Sequence, residues 1–126
     1  MRALDTNVLV RLVTGETPEQ AEKAAAFVEP GAWVPLAATL ECAWVLSATY
    51  ALTGAELADT IAMLLENDRL LFQDAELIQA AITIFRDKPG IQFADAVILE
   101  TARRAGHLPL GTFDKKLGTR KGTVRL

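Results

Sequence analysis

Cysteine and histidine are almost missing from this chain of 126 residues, with Cys42 and His107 the single examples of each. One thiol excludes an internal disulfide and any cysteine-based zinc site, and one imidazole excludes histidine-rich ligation. Metal chemistry would fall to carboxylates. Bulk charge of one sign is missing too. Against 16 Asp+Glu stand 13 Lys+Arg, for a net charge of −3, so contact with nucleic acid has to be local rather than driven by the whole molecule. No glycine-rich turn follows the first apolar segment, which removes a nicotinamide-dependent dehydrogenase from consideration. An uninterrupted apolar run of membrane length is absent. The stretch 31–52 comes closest, but Glu41 at its middle would cost about 2.5–3.5 kcal/mol in a bilayer and Pro35 breaks its start. Asp5 stands where the apolar core of a secretory signal would begin, so a cytoplasmic protein without membrane attachment is expected.

What is present is an ordinary globular composition, 51% hydrophobic and 23% charged, in a length that predicts one domain over residues 1–126 with a core of its own. A strand ends at Asp5 and a helix follows. Thr17-Pro18-Glu19-Gln20 reads as a helix start, with Thr17 as cap, Pro18 at the first position and Gln20 reaching back, for a helix to about Glu29. Ala32-Trp33-Val34 is strand-like, and Leu36 to Tyr50 is helical after Pro35. Thr53-Gly54-Ala55-Glu56 repeats the cap signature for a helix to about Asn67, and Leu70-Leu71-Phe72 is a third strand. Asp74 is placed to cap a helix over Ala75 to Phe85, ended by Lys88-Pro89-Gly90. Phe93 to Ala105 is helical with Gly106 as its stop. Two short strands flank Lys115-Lys116-Leu117. Short strands alternating with helices predict an α/β fold, with a short central parallel sheet covered by helices on both faces.

Four carboxylates in this pattern lack evident partners. Glu41 has Ala37, Ala38, Trp44 and Val45 as its helical neighbours, and Asp95 has Ile91, Gln92, Ile98 and Leu99; none is basic. Each acid also has a plain structural explanation. Glu41 would lie on a narrow solvated strip, Asp95 would favour a helix N-terminus through the macrodipole, Asp5 would cap the next helix, and Asp114 would cap the Lys115-Lys116-Leu117 turn. Their joint placement is harder to dismiss, because strand ends and helix N-termini of an open parallel sheet meet at one crevice. Acids gathered there need a cation, and oxygen-only ligands select Mg²⁺ or Mn²⁺, whose usual work is to activate water against a phosphate.

Leu4-Asp5-Thr6-Asn7-Val8-Leu9-Val10, Glu41 in a helix after a strand, Phe93-Ala94-Asp95-Ala96 and Thr112-Phe113-Asp114 together resemble the PIN-domain family, and within it the VapC-like ribonuclease toxins of type II toxin–antitoxin pairs. The resemblance covers essentially the whole chain. It implies a Mg²⁺- or Mn²⁺-dependent endoribonuclease that cleaves single-stranded regions of RNA, with Asp5, Glu41, Asp95 and Asp114 at the acidic metal and catalytic positions. Asp5 and Asp95 would hold the principal ion, and Asn7 and Thr112 are similar to supporting polar residues. It also implies a cognate antitoxin protein and a toxin homodimer, with Leu12, Val13, Ile61 and Leu64 able to contribute a groove or, equally, to belong to the core. A haloacid-type phosphatase would carry Asp where this chain has Asn7. The competing reading is a catalytically silent PIN-like module that binds RNA or protein.

Charge is unevenly spread: residues 1–100 carry 6 basic and 15 acidic groups, residues 101–126 carry 7 and 1. Arg103, Arg104, Lys115, Lys116 and Arg120, with Lys121 and Arg125, are therefore candidate RNA contacts. An ordinary solvated surface is the alternative. Trp33, Trp44 and Tyr50 are expected to pack in the core rather than stack on bases, Cys42 to be a small core residue, and His107 to sit in an exposed loop.

Overall fold

Parallel pairing of three very short strands organises the first of two compact units, Met1–Ala75, in this computed structural model, which describes residues 1–87 and 90–126. β1 (Arg2–Ala3), β2 (Ala32–Val34) and β3 (Leu70–Phe72) lie side by side in that order, with Ala3 opposite Trp33 and Trp33 opposite Leu71. The ladder runs past the strand ends, where Leu4 N–H donates to the Trp33 carbonyl at 3.0 Å and Gln73 N–H to that of Val34 at 2.9 Å. Parallel neighbours need crossovers. Here α1 (Thr6–Thr14) and α2 (Pro18–Val28) make the first, and α3 (Leu36–Ala48) and α4 (Gly54–Leu65) the second. Val34, Leu9 and Leu46 are fully buried, each worth about 1.5–3 kcal/mol of transfer from water.

The helix boundaries follow from identifiable groups. Gly15 takes the left-handed conformation (φ 61°) and returns its N–H to the Arg11 carbonyl at 2.9 Å, which closes α1 without the penalty a Cβ would bring. Thr53 and Glu56 form the expected reciprocal capping box at α4. Two expected caps differ. Thr17 is extended but makes no side-chain cap bond, and the Gln20 side chain, expected to reach back to it, instead accepts from Arg11 Nε at 2.6 Å. Asp74 has φ 56°, and a cap needs the extended region. The helix after Pro35 stops at Ala48 rather than Tyr50, and the Tyr50 hydroxyl turns to donate to Glu16.

The second unit, Glu76–Leu126, contains α5 (Ala75–Asp87, its first residue in the first unit), α6 (Phe93–Ala105), β4 (Leu110–Thr112), a 3₁₀ turn (Leu117–Thr119) and β5 (Thr123–Arg125). β4 and β5 pair in parallel with Leu110 opposite Thr123. The α/β architecture with parallel sheets flanked by helices is as expected, but its strands divide between a three-stranded and a two-stranded sheet. α5 runs two residues beyond Phe85; Lys88-Pro89 of its expected stop lie outside the described residues. Phe85 and Phe93 meet edge to face with ring centres 5.7 Å apart, tying α5 to the start of α6. Gly106 closes α6 with φ 81°, and Ile78 and Ala81 of α5 and Ala96 and Val97 of α6 are buried.

Candidate active site

Asp5 follows β1 after one intervening residue, Leu4, and serves as the N-cap of α1: its backbone is extended (φ −101°, ψ 179°) and its Oδ1 accepts from Val8 N–H at 3.1 Å. Parallel strands leave the sheet at the same edge, so α3, which follows β2, starts beside this turn. Proline at position 35 cannot cap α3 with its side chain. Gln73, just past β3, supplies the missing acceptor, taking the Leu36 N–H on Oε1 at 2.8 Å. Two turns into α3, Glu41 Oε2 accepts from the Thr6 hydroxyl at 3.0 Å. One hydroxyl thus joins the Asp5 turn to a carboxylate 35 residues further on. Thr6 was not among the residues singled out from sequence, although a hydroxyl next to a strand-ending aspartate was its signal. Asn7 is exposed on α1.

Glu41 lies on a solvated strip of α3, its plain structural explanation. Ala37, Glu41, Trp44 and Ala48 form an exposed stripe, while Ala38, Cys42, Ala43 and Leu46 face the core. That is the division a 3.6-residue period imposes. Trp44 is 62% exposed, so its expected place in the core is also wrong; Trp33 is half-buried in β2. Cys42 is buried, and loss of water pushes its thiol pKa up to about 12, which removes it from nucleophilic chemistry. Ile61 and Leu64 are 2% and 9% exposed and belong to the core, the second of the two places open to them.

In the second unit, Asp95 is half-buried in the first turn of α6, and its Oδ2 accepts from Gln92 N–H at 3.1 Å. Asp114 is exposed after β4, and its Oδ1 accepts from both Lys116 and Leu117 N–H at 2.8 Å, the turn-capping role expected for it. Thr112 Oγ1 takes the Asp114 N–H at 3.0 Å. No ion pair involves Asp5, Glu41, Asp95 or Asp114 among the described residues. Nor, among those residues, is any group of three or more His, Cys, Asp or Glu side chains gathered closely enough to hold a metal ion. The donor chemistry itself is oxygen-only and of the kind Mg²⁺ and Mn²⁺ accept.

Of the candidate RNA contacts, Arg103 and Arg104 both pair with buried Glu100, the latter through Nε at 2.7 Å. Arg120 donates to the Ile84 carbonyl at 2.8 Å and to Asp87 at 3.3 Å. Lys115 and Lys116 are exposed, as is His107. Among the described residues no helix is long and apolar enough to cross a membrane.

A three-stranded parallel sheet with helices on its crossovers and an aspartate two residues past the end of its first strand defines an α/β domain. The chain belongs to the PIN domain family, whose model matches residues 2–121 and so spans both units. No curated protein and no solved structure matches it.

Proposed function

We propose that this chain is a metal-dependent endoribonuclease acting on single-stranded regions of RNA, and that it is the toxin of a type II toxin–antitoxin pair. The observation that carries the reading is the 3.0 Å hydrogen bond from Thr6 to Glu41, which sets a carboxylate that has no cationic partner among the described residues against the turn begun by Asp5. Membership of the PIN domain family supports nuclease chemistry in general. Asp5, Glu41, Asp95 and Asp114 would hold Mg²⁺ or Mn²⁺. A bound divalent ion supplies a water of lowered pKa and neutralises charge on a phosphate under in-line attack. The chain's own part is to keep its carboxylates oriented through backbone N–H groups and the Thr6 hydroxyl, and Asn7 and Thr112 would be supporting polar residues, as the resemblance implies. A cognate antitoxin, a homodimer and a cytoplasmic location complete the reading, carried by the resemblance to VapC-like toxins.

The test is cleavage of a mixed structured and single-stranded RNA pool by wild type and Asp95→Asn, with Mn²⁺ and with chelator. Metal-dependent cutting that disappears in the variant is the expected result. Cutting that survives in Asp95→Asn, or that chelator leaves unchanged, overturns the assignment. RNA retained without cutting turns it to the silent binding module. A short upstream reading frame encoding a DNA-binding segment and a variable amphipathic tail is expected for the antitoxin, and its absence removes the toxin role while leaving the nuclease.

A further inference from the structure

A groove of about 480 Å³ opens in the second unit between the end of α5, the last turns of α6 and the loop before β5. Its volume is in the range of small-ligand sites, about 300–1,000 Å³. Ile84, Leu99 and Leu108 give it apolar walls, and Arg103, Arg120 and Lys121 give it three cations. Asp87 is the one acid among the lining residues described.

The cations differ in how far they are neutralised. Arg120 has a side chain only 9% exposed, fixed by the Ile84 carbonyl at 2.8 Å and by Asp87 at 3.3 Å, whose own side chain is 70% exposed and therefore well screened. A guanidinium already withdrawn from water and oriented costs little further ordering when an anion arrives. Arg103 shares the single carboxylate of Glu100 with Arg104, so that trio keeps a positive surplus. Lys121 pairs with no acid among the described residues. In a chain of net charge −3, a basic groove with an apolar wall is a local feature that overall composition does not produce. An anion alone would not use Leu99 and Leu108. A phosphate attached to a sugar or base would use both halves.

We propose that this groove binds the phosphate of a nucleotide, clamped by Arg103, Arg120 and Lys121 with its ribose or base against Leu99 and Leu108. As a subsite for an RNA strand it rests on the ribonuclease reading. The test is equilibrium binding, in chelator, of a short single-stranded oligoribonucleotide and separately of uridine 5′-monophosphate, to wild type, Lys121→Ala, Lys121→Arg and Lys23→Ala. Lys23 is exposed on α2 and matches the loss of one charge elsewhere. Lys121→Ala is expected to weaken the oligonucleotide about tenfold, the worth of one charge-assisted contact. It should also flatten the dependence of log K on log salt by about 0.7. Lys121→Arg and Lys23→Ala should bind as wild type does, with unfolding midpoints unchanged in all three. If the mononucleotide shows the same Lys121 dependence, the groove takes a free nucleotide phosphate; if only the oligonucleotide binds, it takes one within a strand. Equal binding by Lys121→Ala and Lys23→Ala, or no binding of either probe by wild type, overturns the proposal. Cleavage is silent in chelator, so the two readings fail separately: loss of Lys121 dependence with Mn²⁺ cutting intact removes only the groove. Lys121-dependent binding without cutting removes only the nuclease.

Discussion

Replacing Asp5 by asparagine and, separately, by alanine separates what its carboxylate does for the fold from what it does for chemistry. Oδ1 of Asp5 accepts from Val8 N–H at 3.1 Å and caps α1. Asparagine keeps an acceptor oxygen in the same place and is as good a cap as aspartate, so the bond survives Asp5→Asn. What is lost is a negative charge at a helix N-terminus, worth about 0.3–1 kcal/mol. Relief of repulsion with Glu41, which Thr6 holds against the same turn, works in the opposite direction. The net change for Asp5→Asn is expected within about 0.5 kcal/mol. Asp5→Ala removes the acceptor and leaves the Val8 N–H without its cap, for about 1 kcal/mol, a fall in Tm of about 3–5 °C for a chain this long. Urea unfolding in metal-free buffer reads the stabilities, and Mn²⁺-dependent RNA cleavage reads the chemistry. Both variants should lose cleavage, and only alanine should lose stability. An asparagine variant as unstable as the alanine one refutes the capping argument. An asparagine variant that cleaves at the wild-type rate refutes the role of the charge.

Thr6→Val removes the hydroxyl that meets Glu41 at nearly constant volume. It is expected to cost about 0.5–1.5 kcal/mol in urea unfolding and to lower the cleavage rate, with Thr6→Ser restoring both. Arg103→Ala and Arg104→Ala should each cost about 0.5–1 kcal/mol, because the partner arginine still serves Glu100. Together they should cost about 3–5 kcal/mol, since buried Glu100 (2% exposed) is then left unpaired; a double variant equal to the sum of the singles would show that the carboxylate is not stabilised by sharing. Glu56 has its pKa held below the ordinary carboxylate value by the Thr53 backbone N–H and then by the Thr53 hydroxyl. Its stabilisation is therefore complete above the unfolded-state pKa and disappears as pH falls through the lower folded-state value. Glu56→Gln should flatten that acid limb in a stability–pH series, and an unchanged limb would deny the linkage.

Much of the fold was legible because local chemistry and tertiary structure agree. Thr53 with Glu56, Gly106 after Ala105, and the Ala32–Val34 run between Gly31 and Pro35 each had one good outcome, and each took it. The Thr17–Gln20 capping box and the Asp74 cap did not form because the deciding influence lay outside the helix or in a backbone angle: Arg11 captures the Gln20 side chain, and Asp74 turns left-handed. Trp44 was misplaced because hydrophobicity was read before phase. On α3 it shares a face with Glu41, so either both are buried or both are exposed, and Cys42 and Leu46 already occupy the inner face.

The candidate site was partly legible for a related reason. Each of its acids has a sufficient structural role, which is why sequence alone leaves the choice open. Asp5, Asp95 and Asp114 each use one oxygen to accept from backbone N–H groups, and Glu41 uses one to accept from Thr6. A carboxylate has about four lone-pair sites, so these bonds fix orientation without using its capacity. Asp5 caps α1, and Asp95 closes the capping box of α6. Structural role and metal ligation are therefore not rivals at these positions. The same N–H groups that make the dull explanation adequate would keep the carboxylates oriented with lone pairs to spare, which is what an oxygen-liganded divalent ion requires.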